Sequence, residues 1–264
     1  MSVESEPLKG KVALVTGGSR GIGAGITRKL AAWGCTVAIN YVDREGPAQK
    51  IAAELEEKGT KVTLHRADLG DPAGIEALIE DVGARHGDLN ILVHNAGATK
   101  FSRLETATLD QWQFVQDTNS RSTWLLAKHA IPFMRERPGA RYITITNSTT
   151  TRIIPRAGLF AAAKAGMEAL TNYLSYELAP YGIVVNCVRP GLVQTGVFNV
   201  RPDFEHGVKH EQAVTPWKGD KMTTVENSAD VVAMLCLDEA EWIAGQTITV
   251  DGGYRLWGGV GGKH

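Results

Sequence analysis

The sequence predicts an α/β fold: one doubly wound parallel sheet of about seven strands with helices on both faces. From Lys11 onward, short β-branched runs alternate with longer amphipathic stretches, which is the rhythm of repeated βαβ units. Several short runs, such as residues 12–15 and 91–93, are apolar throughout, as expected for strands that are covered on both faces. Neither an internal repeat nor a Pro/Ser-rich linker interrupts the 264 residues, so we expect one domain over 1–264.

Each predicted strand except the last is followed by a segment with helical periodicity. Three segments fall outside this rhythm: a polar tail at 1–9, a Pro- and aromatic-rich stretch at 194–226 that we interpret as a substrate lid, and a C-terminal tail at 254–264. Ligands of such folds bind beyond the carboxyl ends of the strands, so the residues after each strand are the candidates for a site. The predicted strands are 11–16, 35–41, 61–66, 90–94, 141–147, 183–188 and 247–250.

Composition excludes several classes of partner. The formal charge is -1, from 28 Lys and Arg against 29 Asp and Glu, so we expect no nucleic acid partner. The apolar runs are far shorter than the roughly 18 residues of a membrane span, so we expect no membrane. Cys35, Cys187 and Cys236 are widely separated and odd in number, which favours a reducing compartment. Together with a polar, acidic N-terminus, this predicts a cytoplasmic protein.

A glycine-rich turn follows the first predicted strand. Residues 16–23 read Thr-Gly-Gly-Ser-Arg-Gly-Ile-Gly and lead into a helical pattern. Glycines let a turn tighten and let the backbone approach a pyrophosphate at the positive N-terminus of a helix. The turn therefore predicts a dinucleotide site, and the sheet is expected to be of the Rossmann type.

Six further landmarks follow this turn in order along the chain. They are Asp68 after the third strand, 95–97 (Asn-Ala-Gly) after the fourth, Asn119 in a helix, Lys164 after three alanines, 190–195 after the sixth strand, and 250–253 (Val-Asp-Gly-Gly) at the end of the sheet. With the glycine turn, they make the chain resemble the short-chain dehydrogenase/reductase family over roughly residues 10–254.

The resemblance implies a role for each landmark in holding a nicotinamide dinucleotide. The glycine turn would hold the pyrophosphate and adenosine, and the pair after the third strand would hold the adenine. Residues after the fourth strand would line the nicotinamide ribose, and those after the sixth would bind the carboxamide side of the ring. The pyrophosphate and adenosine would contact Gly17, Ser19, Arg20, Ile22 and Gly23, and the adenine would contact Asp68 and Leu69. The nicotinamide ribose would contact Asn95, Ala96 and Gly97, and the carboxamide side would contact Pro190, Gly191, Val193 and Thr195.

Charges near the second strand indicate which dinucleotide the site prefers. NAD-selective sites place a carboxylate at the end of this strand to accept from the ribose 2′-hydroxyl, whereas this chain has Asn40 and Tyr41 there, which we predict as cofactor-binding residues. Arg20, with Arg44 as a candidate second cation, suits a 2′-phosphate. The alternative is that both arginines are merely solvated, and Asp43 argues against a phosphate. We predict NADP(H).

The family's catalytic position is altered in this chain. The resemblance implies a Ser, a helical Asn and a Tyr-x-x-x-Lys pair, whose spacing brings both side chains to one helix face so that the ammonium lowers the phenol pKa. Here the pair reads Phe160 and Lys164, and phenylalanine has no proton to exchange. The family's Ser position falls on Asn147, with Ser148 beside it, and which of the two serves stays open. Asn119 matches the helical Asn.

Three explanations of Phe160 compete. One is an engineered Tyr→Phe change that traps a complex, although Asn147 argues against a single trapping substitution. Another is a pseudoenzyme that binds NADP(H) as a scaffold and keeps Lys164 only to hold ribose. The third, which we predict, is a reductase whose substrate needs no phenol, because hydride addition to a cationic iminium carbon creates no alkoxide. This pattern is similar to that of fungal indole-alkaloid reductases that lack the Ser and Tyr, where the neutral product can cyclise in the pocket.

An acid-free reduction has a consequence for pH dependence. An ordinary lysine pKa of about 10.4 would keep Lys164 protonated, so hydride transfer to a permanently charged iminium should not depend on pH from about 6 to 8.5. With an imine that must first be protonated, the rate should instead fall as pH rises through the substrate's own pKa.

Several residues near the landmarks have structural interpretations. His94 is expected to be packed at a strand end. Tyr173, Tyr176 and Tyr181 lie too far along their helix to replace the phenol and are expected in the core or at an interface. Arg121 either points into the pocket or pairs with an acid on a neighbouring helix.

Residues of the lid and tail suggest what the pocket accepts. His206 and His210 lack a third ligand at suitable spacing, so we predict no metal. Phe198, Trp217 and Trp257 would either stack on a flat aromatic, hydrophobic small-molecule substrate or simply dock the lid against the protein. The family resemblance also implies a homotetramer or homodimer built on the helices that carry the catalytic Asn and Lys.

Overall fold

The computed structural model describes residues 6–193, 195, 209 and 222–256. Within these residues, seven strands form one sheet whose neighbours all pair in parallel, in the order β3-β2-β1-β4-β5-β6-β7. The predicted fold class is confirmed, and each strand lies within one or two residues of its predicted ends. The strands are β1 Val12–Val15, β2 Thr36–Tyr41, β3 Val62–Arg66, β4 Ile91–His94, β5 Arg141–Ile145, β6 Val184–Pro190 and β7 Thr247–Val250.

Helices cover both faces of this sheet because successive side chains of each strand point to opposite faces. In β1, Ala13 and Val15 pack with helices α1, α2 and α7, whereas Leu14 packs with α3, α5 and α6. A π-helical turn, Asp117–Arg121, separates α4 from α5. The helices are α1 Gly21–Ala32, α2 Glu45–Glu56, α3 Pro72–His86, α4 Leu109–Gln116, α5 Ser122–Met134, α6 Gly158–Leu178 and α7 Val225–Leu235.

The strand order reverses beside β1, which lies between β2 and β4. In doubly wound sheets, the crevice beyond the carboxyl ends of the strands at such a point takes the ligand. The glycine-rich turn leaves β1 here, and 95–97 leave β4. The fold therefore brings two of the predicted cofactor segments to one place.

Two predicted segment boundaries need correction. Leu8 is fully buried, and its backbone N–H donates to the Trp33 carbonyl at 2.8 Å, so the last part of segment 1–9 belongs to the core and is not a polar tail. The predicted lid, 194–226, overlaps α7, because the Thr224 side chain caps that helix and it begins at Val225. Among the described residues, no helix combines the length and the apolar character that a membrane span requires.

Candidate active site

The turn between β1 and α1 brings backbone against backbone. Gly17 and Gly21 have positive φ angles of 59° and 52°. A Cβ atom on Gly23 would lie 2.3 Å from the Gly17 carbonyl oxygen and 2.4 Å from Nδ2 of Asn95. The first N–H groups of α1 have no partner within the helix, so a glycine turn of this shape suits a pyrophosphate. Ile22, in the first turn of α1, reaches the cavity described below.

Asn95 joins the two strands that flank the crevice. Its Nδ2 donates to the carbonyl oxygens of Thr16 at 3.0 Å and Gly17 at 3.2 Å. In return, Thr16 Oγ1 accepts from the backbone N–H groups of Asn95 and Ala96 at 3.1 and 3.0 Å. Asn95 thus shapes the turn as well as lining the cavity beside Gly97.

Asn40 and Tyr41 do not have the role predicted for them. Asn40 is fully buried, its Oδ1 accepts from the Gly17 N–H at 3.3 Å, and its Nδ2 donates to three backbone carbonyls at the ends of β2 and β3. Tyr41 is buried in the core under α1 and α2. Both side chains are held by neighbouring strands and helices, so neither reaches a ribose. The residues beyond them, Asp43 and Arg44, are exposed at this edge.

The two residues proposed for the adenine site, Asp68 and Leu69, differ in exposure. Asp68 is exposed, and its Oδ1 accepts from the Gly70 N–H at 2.8 Å, which leaves it the candidate for an adenine amino group. The Leu69 side chain is 1% exposed and packs in the core against α3. Its side chain is therefore excluded from the adenine site.

Arg20 is the cation best placed to read a 2′-phosphate. It is exposed at the N-cap position of α1, next to the buried Ser19, and makes no ion pair within the described residues. We expect Arg20→Ala to raise the dissociation constant of NADPH about tenfold, because a charge-assisted hydrogen bond is lost, and that of NADH less than about twofold. Fluorescence titration with both cofactors, with the exposed Lys50→Ala as control, measures this; equal weakening of both would contradict it.

Lys164 is buried against the backbone of Gly97. Its Nζ donates to the Ile145 carbonyl at 2.9 Å and to Met167 Sδ at 3.4 Å. Burial lowers the pKa of Lys164 to about 8. The ordinary pKa assumed from the sequence is therefore wrong, because desolvation disfavours the ammonium. Lys164 is protonated below pH 8 and loses its proton as the pH rises through that value.

The surroundings of Lys164 fit a ribose with its hydroxyl groups. A Cβ atom on Gly97 would lie 3.3 Å from Nζ of Lys164 and 2.8 Å from Oδ1 of Asn119. Because glycine has no Cβ atom, no side chain at position 97 covers these two polar atoms. Oδ1 of Asn119 is buried and has no hydrogen-bond partner among the described residues. Buried polar atoms in folded proteins are nearly always paired, so this pattern favours a hydroxylated ligand here.

Asn119 itself sits in the π-helical turn, a feature that often marks functional positions. Its Nδ2 donates to the carbonyls of Ala98 at 2.8 Å and Val115 at 2.7 Å. The side chain thereby ties the loop after β4 to the helix pair α4–α5. The sequence predicted Asn119 inside an ordinary helix, and the widened turn lets its side chain reach that loop.

A mainly apolar cavity of about 280 Å³ opens beyond β4, β5 and β6. Phe160 forms part of its wall, and the centroid of its ring lies 5.4 Å from Lys164 Nζ. The two side chains therefore share one helix face, as their spacing predicts. The wall includes Pro190, Gly191, Val193 and Thr195 from the predicted cofactor set, and also Thr99, Phe101, Thr146, Thr149 and Ile154, which the sequence did not single out because no family motif covers them.

Asn147 and Ser148 both line this cavity. Oδ1 of Asn147 accepts from the Thr149 N–H at 3.0 Å and from its hydroxyl at 2.5 Å, so it caps the short helical turn Ser148–Thr150. The Ser148 hydroxyl makes no hydrogen bond within the described part of the chain. Of the two, Ser148 is the side chain that is free to meet a substrate.

His94 and Arg121 have structural partners. The ring nitrogens of His94 lie 3.1 Å from the hydroxyl oxygens of Ser122 and Thr123, and burial lowers the pKa of His94 to about 3, so it stays neutral. This confirms the packed histidine. Arg121 pairs with Asp117 on its own helical turn at 2.8 Å and donates to a backbone carbonyl after β3. It therefore follows neither of the two expectations.

The other residues weighed from the sequence are partly in their predicted places. Tyr181 packs against the core. Tyr173 and Tyr176 are 70% and 83% exposed, so they are not core residues, and an interface stays the prediction for them. In 6–193 and 222–256, no cluster of three His, Cys, Asp or Glu could hold a metal. The lid and tail candidates lie outside the described residues: His206, His210, Phe198, Trp217 and Trp257.

Comparison with known proteins shows to which family the chain belongs. A family model described as enoyl-(acyl carrier protein) reductase matches residues 17–255. A short-chain type dehydrogenase/reductase of Picea abies is 33% identical over 93% of each chain. The chain is a short-chain dehydrogenase/reductase.

Other relatives of this short-chain dehydrogenase/reductase are named as reductases. The 3-oxoacyl-acyl-carrier-protein reductase of Escherichia coli is 35% identical over 94% of this chain and 98% of its own. The hydroxynaphthalene reductase of Aspergillus fumigatus is 34% identical over 91% and 90%. The versicolorin reductase of Emericella nidulans is 31% identical over 96% and 98%. This short-chain dehydrogenase/reductase is accordingly an oxidoreductase.

Solved structures identify the cofactor. A short-chain dehydrogenase from Burkholderia cenocepacia in complex with NADP matches with a TM-score of 0.86 and 32% identity, over 94% of this chain and 99% of that one. A blue fluorescent protein from a metagenomic library in complex with NADPH matches with a TM-score of 0.84, also at 32% identity, over 94% and 99%. The predicted NADP(H) is confirmed as the cofactor. Gly17, Gly23, Gly97, Lys164 and Asn119 are the residues whose geometry fits it best.

Proposed function

We propose that this enzyme reduces an activated, cationic carbon of the iminium type in a hydrophobic small molecule of secondary metabolism, on an alkaloid pathway where the neutral product can cyclise in the same pocket. One observation carries the proposal: an apolar ring, Phe160, stands beside Lys164 where a ketone reductase of this family holds its proton donor. In this proposal, Phe160 and Asn147 are native adaptations to such a substrate.

The chemistry of an iminium removes the need for an acid. NADPH supplies a hydride when bound. The carbon of C=N⁺ takes its electron pair, the π electrons return to nitrogen as a lone pair, and the product is a neutral amine. Reducing a ketone instead leaves an alkoxide, and a positioned acid then contributes about 10²–10⁴-fold. What this chain supplies is the binding and orientation of both reactants, with Lys164 and Asn119 beside the ribose site.

The cavity wall supports a substrate that loses its charge. Among the described lining residues, Lys164 is the one side chain that ionises, and no carboxylate faces the cavity. Such a wall solvates a cation poorly and a neutral amine well, so it favours hydride transfer to the cation. The aromatic faces of Phe101 and Phe160 suit a flat ring system, cationic or neutral.

The relatives support a flat aromatic substrate skeleton. The reductase of Aspergillus fumigatus is named for a hydroxynaphthalene, which has two fused aromatic rings. A fused bicyclic iminium such as N-methyl-3,4-dihydroisoquinolinium combines that shape with the permanent charge that the proposal requires. It is therefore the probe for the reaction.

Single-turnover reduction of this probe by NADPH tests the proposed function. At NADPH concentrations near its dissociation constant, we expect a rate that does not change between about pH 6 and 7 and that falls as the pH passes 8. The pKa of Lys164 is about 8, and the neutral amine should hold the nicotinamide ribose less firmly than the ammonium does. This narrows the window of 6 to 8.5 expected from an ordinary lysine. A rate that also falls on the acid side would show that an enzyme group transfers a proton. NADPH binding without any turnover would favour the scaffold.

We propose that the enzyme assembles as a homotetramer or homodimer through α4, α5 and α6. Large apolar side chains are exposed on the first two of these helices: Leu109 at 69%, Trp112 at 44%, Phe114 at 43% and Trp124 at 48%. Exposed apolar patches of this kind mark interfaces. Sedimentation equilibrium at micromolar concentration should give a dimer or tetramer, and a monomer would contradict the proposal.

We also propose a reducing, cytoplasmic location. Cys35, Cys187 and Cys236 are buried free thiols, and burial raises the pKa of each, which leaves them unreactive.

A further inference from the structure

Glu168, one helical turn after Lys164, accepts four hydrogen bonds. Its Oε1 accepts from the hydroxyls of Thr146 at 2.9 Å and Thr150 at 2.8 Å, and from Arg189 Nε at 3.0 Å. Its Oε2 accepts from Arg189 Nη2 at 2.6 Å. The pair is largely buried, with side-chain exposures of 17% for Glu168 and 10% for Arg189.

These bonds join three separate walls of the active site. Thr146 and Thr150 belong to the loop after β5, which carries Asn147 and Ser148. Arg189 lies near the end of β6, directly before 190–193, which line the cavity. Helix α6 itself carries Phe160 and Lys164. A bidentate pair fixes geometry as well as charge, so Glu168 holds the three walls in one arrangement.

We propose that Glu168 is a positioning residue for the nicotinamide half of the cofactor: through Arg189, Thr146 and Thr150 it sets the walls that receive the ring, although it does not line the cavity itself. The residues predicted to hold the adenosine half, such as Arg20 and Asp68, follow β1 and β3, away from these contacts. The competing interpretation is a buried ion pair that only stabilises the fold.

The test compares NADPH with adenosine 2′,5′-bisphosphate, which lacks the nicotinamide half. In Glu168→Gln we expect the dissociation constant of NADPH to rise at least about tenfold and that of the bisphosphate to stay within about twofold. The exposed Glu177→Gln, on the same helix, is the matched control and should leave both constants unchanged. Equal changes for the two ligands, or no change, would overturn the proposal.

Two further variants keep the test decisive, because removing one partner of a buried pair can unfold a protein. The double variant Glu168→Leu/Arg189→Met removes both charges, and Thr150→Val breaks one link while keeping the pair. Selective loss of NADPH binding in both supports positioning. If the double variant binds NADPH as the wild type does, the pair serves stability alone and the proposal fails.

The pH dependence of NADPH binding is an independent readout. Lys164 faces Glu168 on its own helix, Cys187 on β6 and His94 on β4. Burial lowers the pKa of Lys164, and Cys187 and the Glu168 carboxylate both raise it and partly offset burial, whereas His94 is neutral. In Glu168→Gln, the midpoint at which NADPH affinity falls should therefore move below that of the wild type. An unmoved midpoint would contradict a link between Glu168 and the lysine.

Discussion

Gly23→Ala should abolish measurable NADPH binding, with a rise in the dissociation constant of at least about a hundredfold. The added Cβ atom would lie 2.3 Å from the Gly17 carbonyl oxygen and 2.4 Å from Asn95 Nδ2. Both distances are shorter than van der Waals contact allows. The backbone must move, and with it the N–H groups that would face the pyrophosphate. The same strain should lower the free energy of unfolding by about 1–3 kcal/mol.

Gly46→Ala is the matched control for that variant. A Cβ atom there meets nothing within 4 Å, in the first turn of α2. We expect unchanged NADPH affinity and equal or slightly greater stability, by about 0.4–1 kcal/mol, because alanine restricts the unfolded chain. Fluorescence titration and thermal denaturation measure both quantities. NADPH binding by Gly23→Ala at wild-type strength would mean that the glycine turn does not hold the pyrophosphate.

Phe160→Tyr should create ordinary ketone reduction. The phenol would stand beside Lys164, whose Nζ lies 5.4 Å from the centroid of the present ring, and the ammonium would lower the phenol pKa. We expect the reduction rate of a bicyclic ketone such as 2-tetralone to rise by about 10²–10⁴, the usual contribution of a positioned acid. Reduction of N-methyl-3,4-dihydroisoquinolinium should change little, because that reaction needs no acid.

Phe101→Tyr provides the control, since it adds the same hydroxyl to another wall of the cavity. It should leave ketone reduction at the wild-type level. If the wild-type enzyme already reduces 2-tetralone as fast as Phe160→Tyr does, another residue donates the proton. Ser148, with its free hydroxyl, would then be the first candidate.

The sequence predicted the sheet well because buried parallel strands require continuous apolar runs, as in β1 and β4. It also predicted that the glycine-rich turn follows the first strand and leads into a helix, as the structure shows. Phe160 beside Lys164 followed from helical spacing alone. These features depend on the order and spacing of residues close together in the sequence, so they can be predicted from the sequence alone.

Features that depend on neighbouring elements were not predictable. Asn40 and Leu69 follow the expected spacing, but which way a side chain points at a strand end depends on the packing of adjacent strands and helices. The low pKa of Lys164 arises from burial, which no spacing reveals. The partners of Glu168 lie on or after β5 and β6, far from it in sequence, so only the folded structure shows these contacts.

The central claim is that the wild-type enzyme transfers hydride to a cationic carbon without donating a proton. The most direct measurement is single-turnover reduction of N-methyl-3,4-dihydroisoquinolinium with NADPH deuterated at both C4 positions, run in both H₂O and D₂O. We predict deuterium from the cofactor at the former iminium carbon of the product, and the same rate in both solvents. Absence of deuterium transfer, or a slower reaction in D₂O, would contradict it.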